Sequence, residues 1–205
     1  MLRACEEREA DAVTKFYRQI PRDPWVAPLR GHLFEALVLN YLDGIDTHRD
    51  LSIRLLTGSD EITWTYRGPI PRVCFEQTFI NEINEAVENK AQIHLVPEAP
   101  NFRAADSIVY DPEEVLTLVQ VTINHEHPIA VSGLGRIQKW LKGKKTASLR
   151  PHRNRPWRFI FIVPEEMASS FTLQNMQGDT KTKVWAGKVE QYVYGFSAGS
   201  AIKTG

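Results

Sequence analysis

The residues best suited to chemistry lie within "NFRAADSIVYDPEEVLTLVQVTINHEHPI", Asn101 to Ile129. Asp106 stands in a short apolar run, an acidic turn "DPEEV" follows at 111–115, and an alternating run then carries Gln120 and Thr122. A turn symmetric about Glu113 sets Tyr110 opposite Leu116, Ile108 opposite Leu118 and Asp106 opposite Gln120. Opposite residues of two antiparallel strands share a face, with Cβ atoms ~5 Å apart. Side chains alternate, so Thr122 joins Gln120 on that face while Val119 and Val121 take the other. A slip of one residue would separate the set.

Such a set suits a hard divalent cation. Asp106 offers a carboxylate, Gln120 a neutral amide oxygen and Val121 a backbone carbonyl. Glu35, in the earlier stretch "GHLFEALVLNYL", offers a second carboxylate. Mg²⁺ or Mn²⁺ held by these oxygens would stabilise charge on a phosphate and lower the pKa of an attacking water. Thr122 carries no charge and can at most orient a water. The same residues also have plainer uses: Asp106 as a turn cap, Gln120 and Thr122 as a polar pair satisfied inside a sheet, Glu35 as a solvated helix residue.

Two further groups surround this one. "HEH" puts His125 and His127 on one face if the strand continues, and two imidazoles can begin a zinc site. A zinc hydrolase needs a third ligand, for which His94 and His32 are candidates by type alone. Either of His125 and His127 is otherwise a candidate general base or phosphate contact for the carboxylate site. From Arg136 to Arg158 the chain carries nine Lys and Arg residues and no acid, with Trp140 and Trp157 interleaved. Lys144, Lys145, Arg150, Arg153 and Arg155 suit contact with a DNA backbone, and "KGKK" has the composition of an import signal. Lys139 and Lys142 leave the helix after the site run and are candidates to return a cation toward Thr122.

Positioning these groups takes a real core, and the composition allows one. The chain has 205 residues, 42% of them hydrophobic, and 25 basic against 25 acidic residues. Disorder throughout is excluded, and net charge says nothing about a polyanionic partner. Two cysteines, Cys5 and Cys74, exclude a disulfide scaffold and fit a reducing compartment. No apolar run approaches the ~18 residues of a membrane span. "MLRACEEREA" lacks the apolar stretch of a signal peptide, and "GFSAGSAIKTG" reads as a loose tail or vector scar. The expected organisation is one domain over 1–196 with a tail at 197–205.

The elements follow from periodicity. "CEEREADAVTKFYRQI", "PLRGHLFEALVLNYLDG", "FEQTFINEINEAVENK" and "SGLGRIQKWLKG" have helical spacing. "EITWTYRG", "AQIHLVPE", "AADSIVY", "VLTLVQVTI", "WRFIFIVPE" and "VEQYVYGF" read as strands. Short separators make the middle three a meander. The expected fold is α/β, with helix, three-strand meander, helix and strand as the restriction-endonuclease-like core. Extra helices stand at the N-terminus and an extra strand at the C-terminus.

The segments "GHLFEALVLNYL", "PNFRAADSIVY", "LTLVQVTINHEHPI" and "GLGRIQKWL" resemble the C-terminal nuclease-like domain of Crinkler-type effectors, and similar segments occur in retrotransposon hot-spot proteins. The resemblance spans roughly Leu29 to Pro164. It implies a PD-(D/E)XK nuclease fold, delivery into a host cell, nuclear location, and action on DNA or a host protein. Upstream effector domains would then lie outside this chain. Position by position, Glu35 matches the helix glutamate, Asp106 the metal-binding aspartate, Gln120 the second acid and Thr122 the catalytic lysine. The last two depart from the general nuclease pattern, while glutamine–x–threonine followed by histidine is usual within the Crinkler group. Two activities remain open: a slow Mg²⁺- or Mn²⁺-dependent endonuclease, or a catalytically weak relative that binds DNA or a host protein.

Overall fold

The computed structural model describes residues 19–20, 24–45, 47–99, 102–178 and 182–197. The helix expected in "CEEREADAVTKFYRQI" lies almost wholly outside the described residues, as does nearly all of the expected tail. Four α-helices are described: α1 (Ala27–Asp43), α2 (Ile80–Asn89), α3 (Val131–Trp140) and the short α4 (Glu165–Ala168). Ten strands are described: β1 (His48–Leu55), β2 (Glu61–Arg67), β3 (Arg72–Phe75), β4 (Ile93–Pro97), β5 (Ser107–Tyr110), β6 (Thr117–Val121), β7 (Ile129–Ala130), β8 (Trp157–Pro164), β9 (Met176–Gln177) and β10 (Val189–Phe196). Eight of them form one mixed sheet in the order β2-β1-β10-β8-β6-β5-β4-β3, and β7 pairs with β9 apart from it. No described helix is long and apolar enough to cross a membrane.

The expected meander is present: β4, β5 and β6 run antiparallel to one another in sequence order. The chain then leaves β6, passes through α3 and returns as β8, parallel to β6. A parallel return requires a crossover that carries the chain back to the level where β6 began. The crossover as a whole makes that return, and α3 itself crosses the sheet: Gly133 near its start stands against Ala104, and Trp140 at its end packs on Phe75, Phe79 and Phe102.

Burial on both faces explains the sequence of the central strands. Every residue of β5 and β6 is buried, and β8 is buried at all positions but Arg158. One face, with Ile108, Leu118, Phe159 and Phe161, packs under α2 and α3. The other, with Val109, Val119, Val121, Ile160 and Ile162, packs against α1 through Phe34, Leu37 and Val38.

The sheet curls around α1. Tyr66 of edge strand β2 meets His94 of β4 edge to face at 6.4 Å between ring centroids. Next to Tyr66, Arg67 pairs with Asp111 at 3.4 Å and also with Glu113, both in the β5–β6 hairpin. At the C-terminal end of α1, Asp43 accepts from Arg72 at 2.6 Å and contacts buried His94 at 3.0 Å. Burial opposes ionisation of Asp43, yet its bonds with His94 and Arg72 outweigh that and hold its carboxyl below the usual range.

α3 forms against its local propensity. "VSGLGRIQKW" holds two glycines, which cost about 2 kcal/mol together relative to alanine in a helix. Leu134, Ile137 and the following Leu141 are fully buried, and each contributes ~1.5–3 kcal/mol on burial. Packing wins, and Gly133 is needed for it, because a Cβ there would stand 2.7 Å from the Ala104 Cα.

Candidate functional site

The symmetric hairpin has the register its turn dictates: Ile108 pairs with Leu118, and Ser107 with Val119. Extending the pairing by one residue sets Asp106 opposite Gln120. The Asp106 N–H donates to the Val119 carbonyl at 2.9 Å, which fixes the end of the ladder. The Gln120 amide nitrogen then donates to Asp106 Oδ2 at 2.6 Å, and the Val121 N–H donates to the same oxygen at 2.6 Å. Asp106 Oδ1 and the Gln120 amide oxygen have no hydrogen-bond partner among the described residues.

Glu35 comes to this point from the α1 face. Burial comes first in raising the Asp106 carboxyl to about 7, and the charge of Glu35 second; the Val121 N–H and the Gln120 amide oppose the rise without cancelling it. Glu35 itself is pushed up by burial, with His32 pulling it back. Both carboxyls are half-buried, and the charge of Glu35 disfavours ionisation of Asp106.

Asp106 Oδ1, the Gln120 amide oxygen and the Glu35 carboxylate are of the donor type that a hard divalent cation takes. Among the described residues, no group of three or more His, Cys, Asp or Glu side chains converges to hold a metal.

Thr122 is buried and closes the strand. Its N–H donates to the Ile162 carbonyl at 3.0 Å, and its hydroxyl oxygen accepts from the Asn124 N–H at 3.1 Å. That second bond shapes the turn out of β6.

The histidines separate, contrary to a continuous strand. β6 ends at Val121, so His125 and His127 do not share a strand face. His125 is exposed, and His127 is half-buried with its ring 6.5 Å from that of Phe161. Phe161 is the β8 partner of Gln120, on the same sheet face, so His127 stands over the neighbourhood of the carboxylate site. Burial lowers the His127 pKa from 6.5, which leaves its ring neutral near pH 7. A neutral ring suits proton acceptance rather than a cationic grip on phosphate. His94 sits at the far end of the sheet with Asp43 and cannot complete a zinc site with this pair. His32 lies beside Glu35 on α1.

Sequence reasoning missed two residues that hold His127. Buried Gln174 accepts from the His127 N–H at 2.6 Å and donates to the carbonyls of His125 at 3.0 Å and Thr172 at 2.8 Å. Buried Gln191 of β10 grips Gln174 by its backbone, accepting from its N–H at 2.8 Å and donating to its carbonyl at 2.9 Å. The sequence carries no signal for them: Gln174 stands among Thr172, Asn175 and Gln177, Gln191 follows Glu190, and their burial shows only in the fold.

Lys139 and Lys142 are both exposed, and neither bonds to Thr122 among the described residues. Gly133 near the start of α3 stands against Ala104, and Trp140 at its end stacks on Phe102. The basic loop lies at the far end of β6. Lys145 pairs with Glu88 at the end of α2, and Arg158 with Glu114 at 3.0 Å, beside the β5–β6 turn. Arg155 donates to the carbonyls of Ser148 and Glu114 at 3.4 Å each. Lys144 and Arg153 are exposed and Arg150 is half-buried. The basic loop and the carboxylates therefore occupy opposite ends of β6, about 15 Å apart for five strand residues.

No family model matches this chain, and no curated protein or solved structure matches it either. The likeness to Crinkler-type domains rests on the quoted motifs.

Proposed function

We propose that this domain acts on DNA as a metal-dependent endonuclease of the restriction-endonuclease-like type, with a modified site and slow turnover. One observation carries the reading: at a half-buried corner where β5 and β6 end, Asp106 and Gln120 face each other with the amide 2.6 Å from Asp106 Oδ2, and the charge of Glu35 acts on the same carboxyl. A bare pair of carboxylates in such a corner is unfavourable, and a divalent cation relieves it. Asp106, Glu35 and Gln120 would hold Mg²⁺ or Mn²⁺, which would supply Lewis-acid stabilisation of a phosphate. The strand order β8-β6-β5-β4, with α1 on one face and α3 as the crossover, is compatible with the core that this type requires. Delivery to a host nucleus follows from the motif likeness alone and is part of the same proposal.

A second reading has its own support. Asp106 Oδ2 is occupied by two hydrogen bonds, Gln120 adds no charge, and no lysine among the described residues bonds to Thr122. A catalytically weak or inactive relative that binds DNA or a host protein would look like this.

Incubation of the protein with plasmid DNA and Mg²⁺, Mn²⁺ or EDTA, beside Asp106→Ala, decides between them. The nuclease reading expects slow nicking with Mn²⁺ or Mg²⁺, lost with EDTA and in the variant. Intact plasmid at high protein with every metal leaves the binding reading.

A further inference from the structure

The basic residues do more than fill one loop, because the fold adds a distant segment to them. Trp157 begins β8 at the end of the basic loop, and its N–H donates to the Lys188 carbonyl at 2.9 Å. Trp185 lies beside Trp157 with ring centroids 5.7 Å apart. A Cβ on Gly187 would be 3.6 Å from the Arg153 Cγ. The turn carrying Lys183 and Lys188 is thus packed on the loop carrying Arg153, though some thirty residues separate them in the chain.

The outward side of α3 carries a second basic row. Its buried side holds Val131, Leu134 and Ile137. Arg136 and Lys139 on α3, and Lys142 just past its end, follow at intervals of three and are all exposed. α3 has no acid, and none of the three cations forms an ion pair among the described residues. Ser132 and Gly135 lie on the same outward side near the start of α3, and nothing stands within 4 Å of a Cβ built on Gly135. On one flank, α2 exposes Glu85 and Glu88. Those charges repel a polyanion and bound the zone on that side; the flank toward Arg153 and Lys183 is cationic.

We infer that a nucleic-acid backbone contacts two surfaces of this domain, the one that Arg153, Lys183 and Lys188 share and the outward side of α3 with Arg136, Lys139 and Lys142. This rests on the nucleic-acid reading above and names the surfaces that hold the substrate. Lys139 and Lys142 become phosphate contacts rather than substitutes for a catalytic lysine. α3 is ~15 Å long, which spans about four phosphates of one strand at ~3.4 Å each.

The test is salt-dependent binding of a short duplex DNA in EDTA, where no cleavage competes. Wild type should lose affinity steeply with salt. Lys183→Gln with Lys188→Gln should lower the slope by ~2, and Arg136→Gln with Lys139→Gln and Lys142→Gln by ~3, at ~0.9 per phosphate contact. Binding is read without metal, so its outcome is separate from the fate of the nuclease reading. Circular dichroism should show each variant folded. Unchanged affinity and slope in the Lys183 and Lys188 variant, or a flat slope in wild type, would overturn it. Equal loss in both sets with no cleavage in any metal would leave it standing and defeat the nuclease reading alone.

Discussion

Gln120 and Asp106 face each other across the β5–β6 hairpin, the glutamine amide 2.6 Å from Asp106 Oδ2. The amide supplies a donor where a second acid would supply a charge. That bond and the Val121 N–H favour the ionised aspartate, but burial and Glu35 outweigh them.

Stability should therefore fall with rising pH through this residue. The carboxyl titrates at about 7 in the folded chain against an ordinary 3.8. Between those values the unfolded chain has lost a proton that the folded chain keeps, so stability drops from about pH 4 to about pH 7 and is level above. Asp106→Asn keeps an acceptor for both hydrogen bonds and removes the drop. The variant should gain at pH 8 and gain nothing at pH 4, with ~4 kcal/mol as the ceiling for the full shift. Urea unfolding at the two pH values measures it, and equal effects at both would remove the carboxyl pair from consideration. Mn²⁺ should stabilise the wild type at pH 8 and leave the variant unmoved.

Gln174→Ala should free the His127 segment. It deletes an acceptor from the His127 N–H and a donor from the His125 carbonyl, and a lost partner for a buried group costs about 1–3 kcal/mol. Hydrogen exchange at the His127 amide should rise well beyond what the global loss of stability accounts for. Exchange that merely follows global unfolding would mean that the loop is held by other contacts.

Much of this was legible from the chain because a few local rules were strong. The turn about Glu113 fixed a register, and buried strands of five residues admit no slip. Phe79, just before α2, and Ile83 and Ala86 within it are buried at helical spacing, as are Leu134 and Ile137 of α3 and Leu141 just after it. β1 escaped notice because "HRDLSIRL" buries only Leu51 and Ile53 fully among charged neighbours. β3 escaped because four residues at a sheet edge, ending in Phe75, run straight into a helical pattern. The place of the basic loop was deducible, since a parallel crossover must return the chain to the far end of the sheet. What no local pattern carries is the closing of Lys183 and Lys188 onto Arg153, which depends on where β10 pairs with β8.

Two glycines of α3 should respond in opposite directions. Gly133→Ala drives a Cβ to 2.7 Å from the Ala104 Cα and 2.8 Å from its nitrogen, and backbone cannot yield as a side chain can. A loss of about 1–3 kcal/mol is expected. Gly135→Ala meets nothing within 4 Å and should gain up to about 1 kcal/mol from helix propensity. Parallel denaturant melts give both numbers, and a stable Gly133→Ala would show that α3 can move off Ala104.

Gln120→Glu probes the site most directly. Without metal it adds a third carboxylate to Asp106 and Glu35 and removes the donor that now faces Asp106 Oδ2. The variant should be less stable than wild type in EDTA at pH 8, and the deficit should shrink as the pH is lowered and the acids protonate. With Mn²⁺ the order should reverse, because a charged ligand replaces a neutral one. Calorimetric titration should show tighter Mn²⁺ binding in the variant, and plasmid nicking should rise if turnover is limited by metal occupancy. Pairing it with Thr122→Lys restores a cation as well. The absence of such an electrostatic group commonly costs ~10²–10³ in rate, so the double variant should nick faster than either single one. Tighter metal binding with no nicking in the double variant would keep the cation site and discard the nuclease. Unchanged metal affinity in Gln120→Glu would discard the site itself.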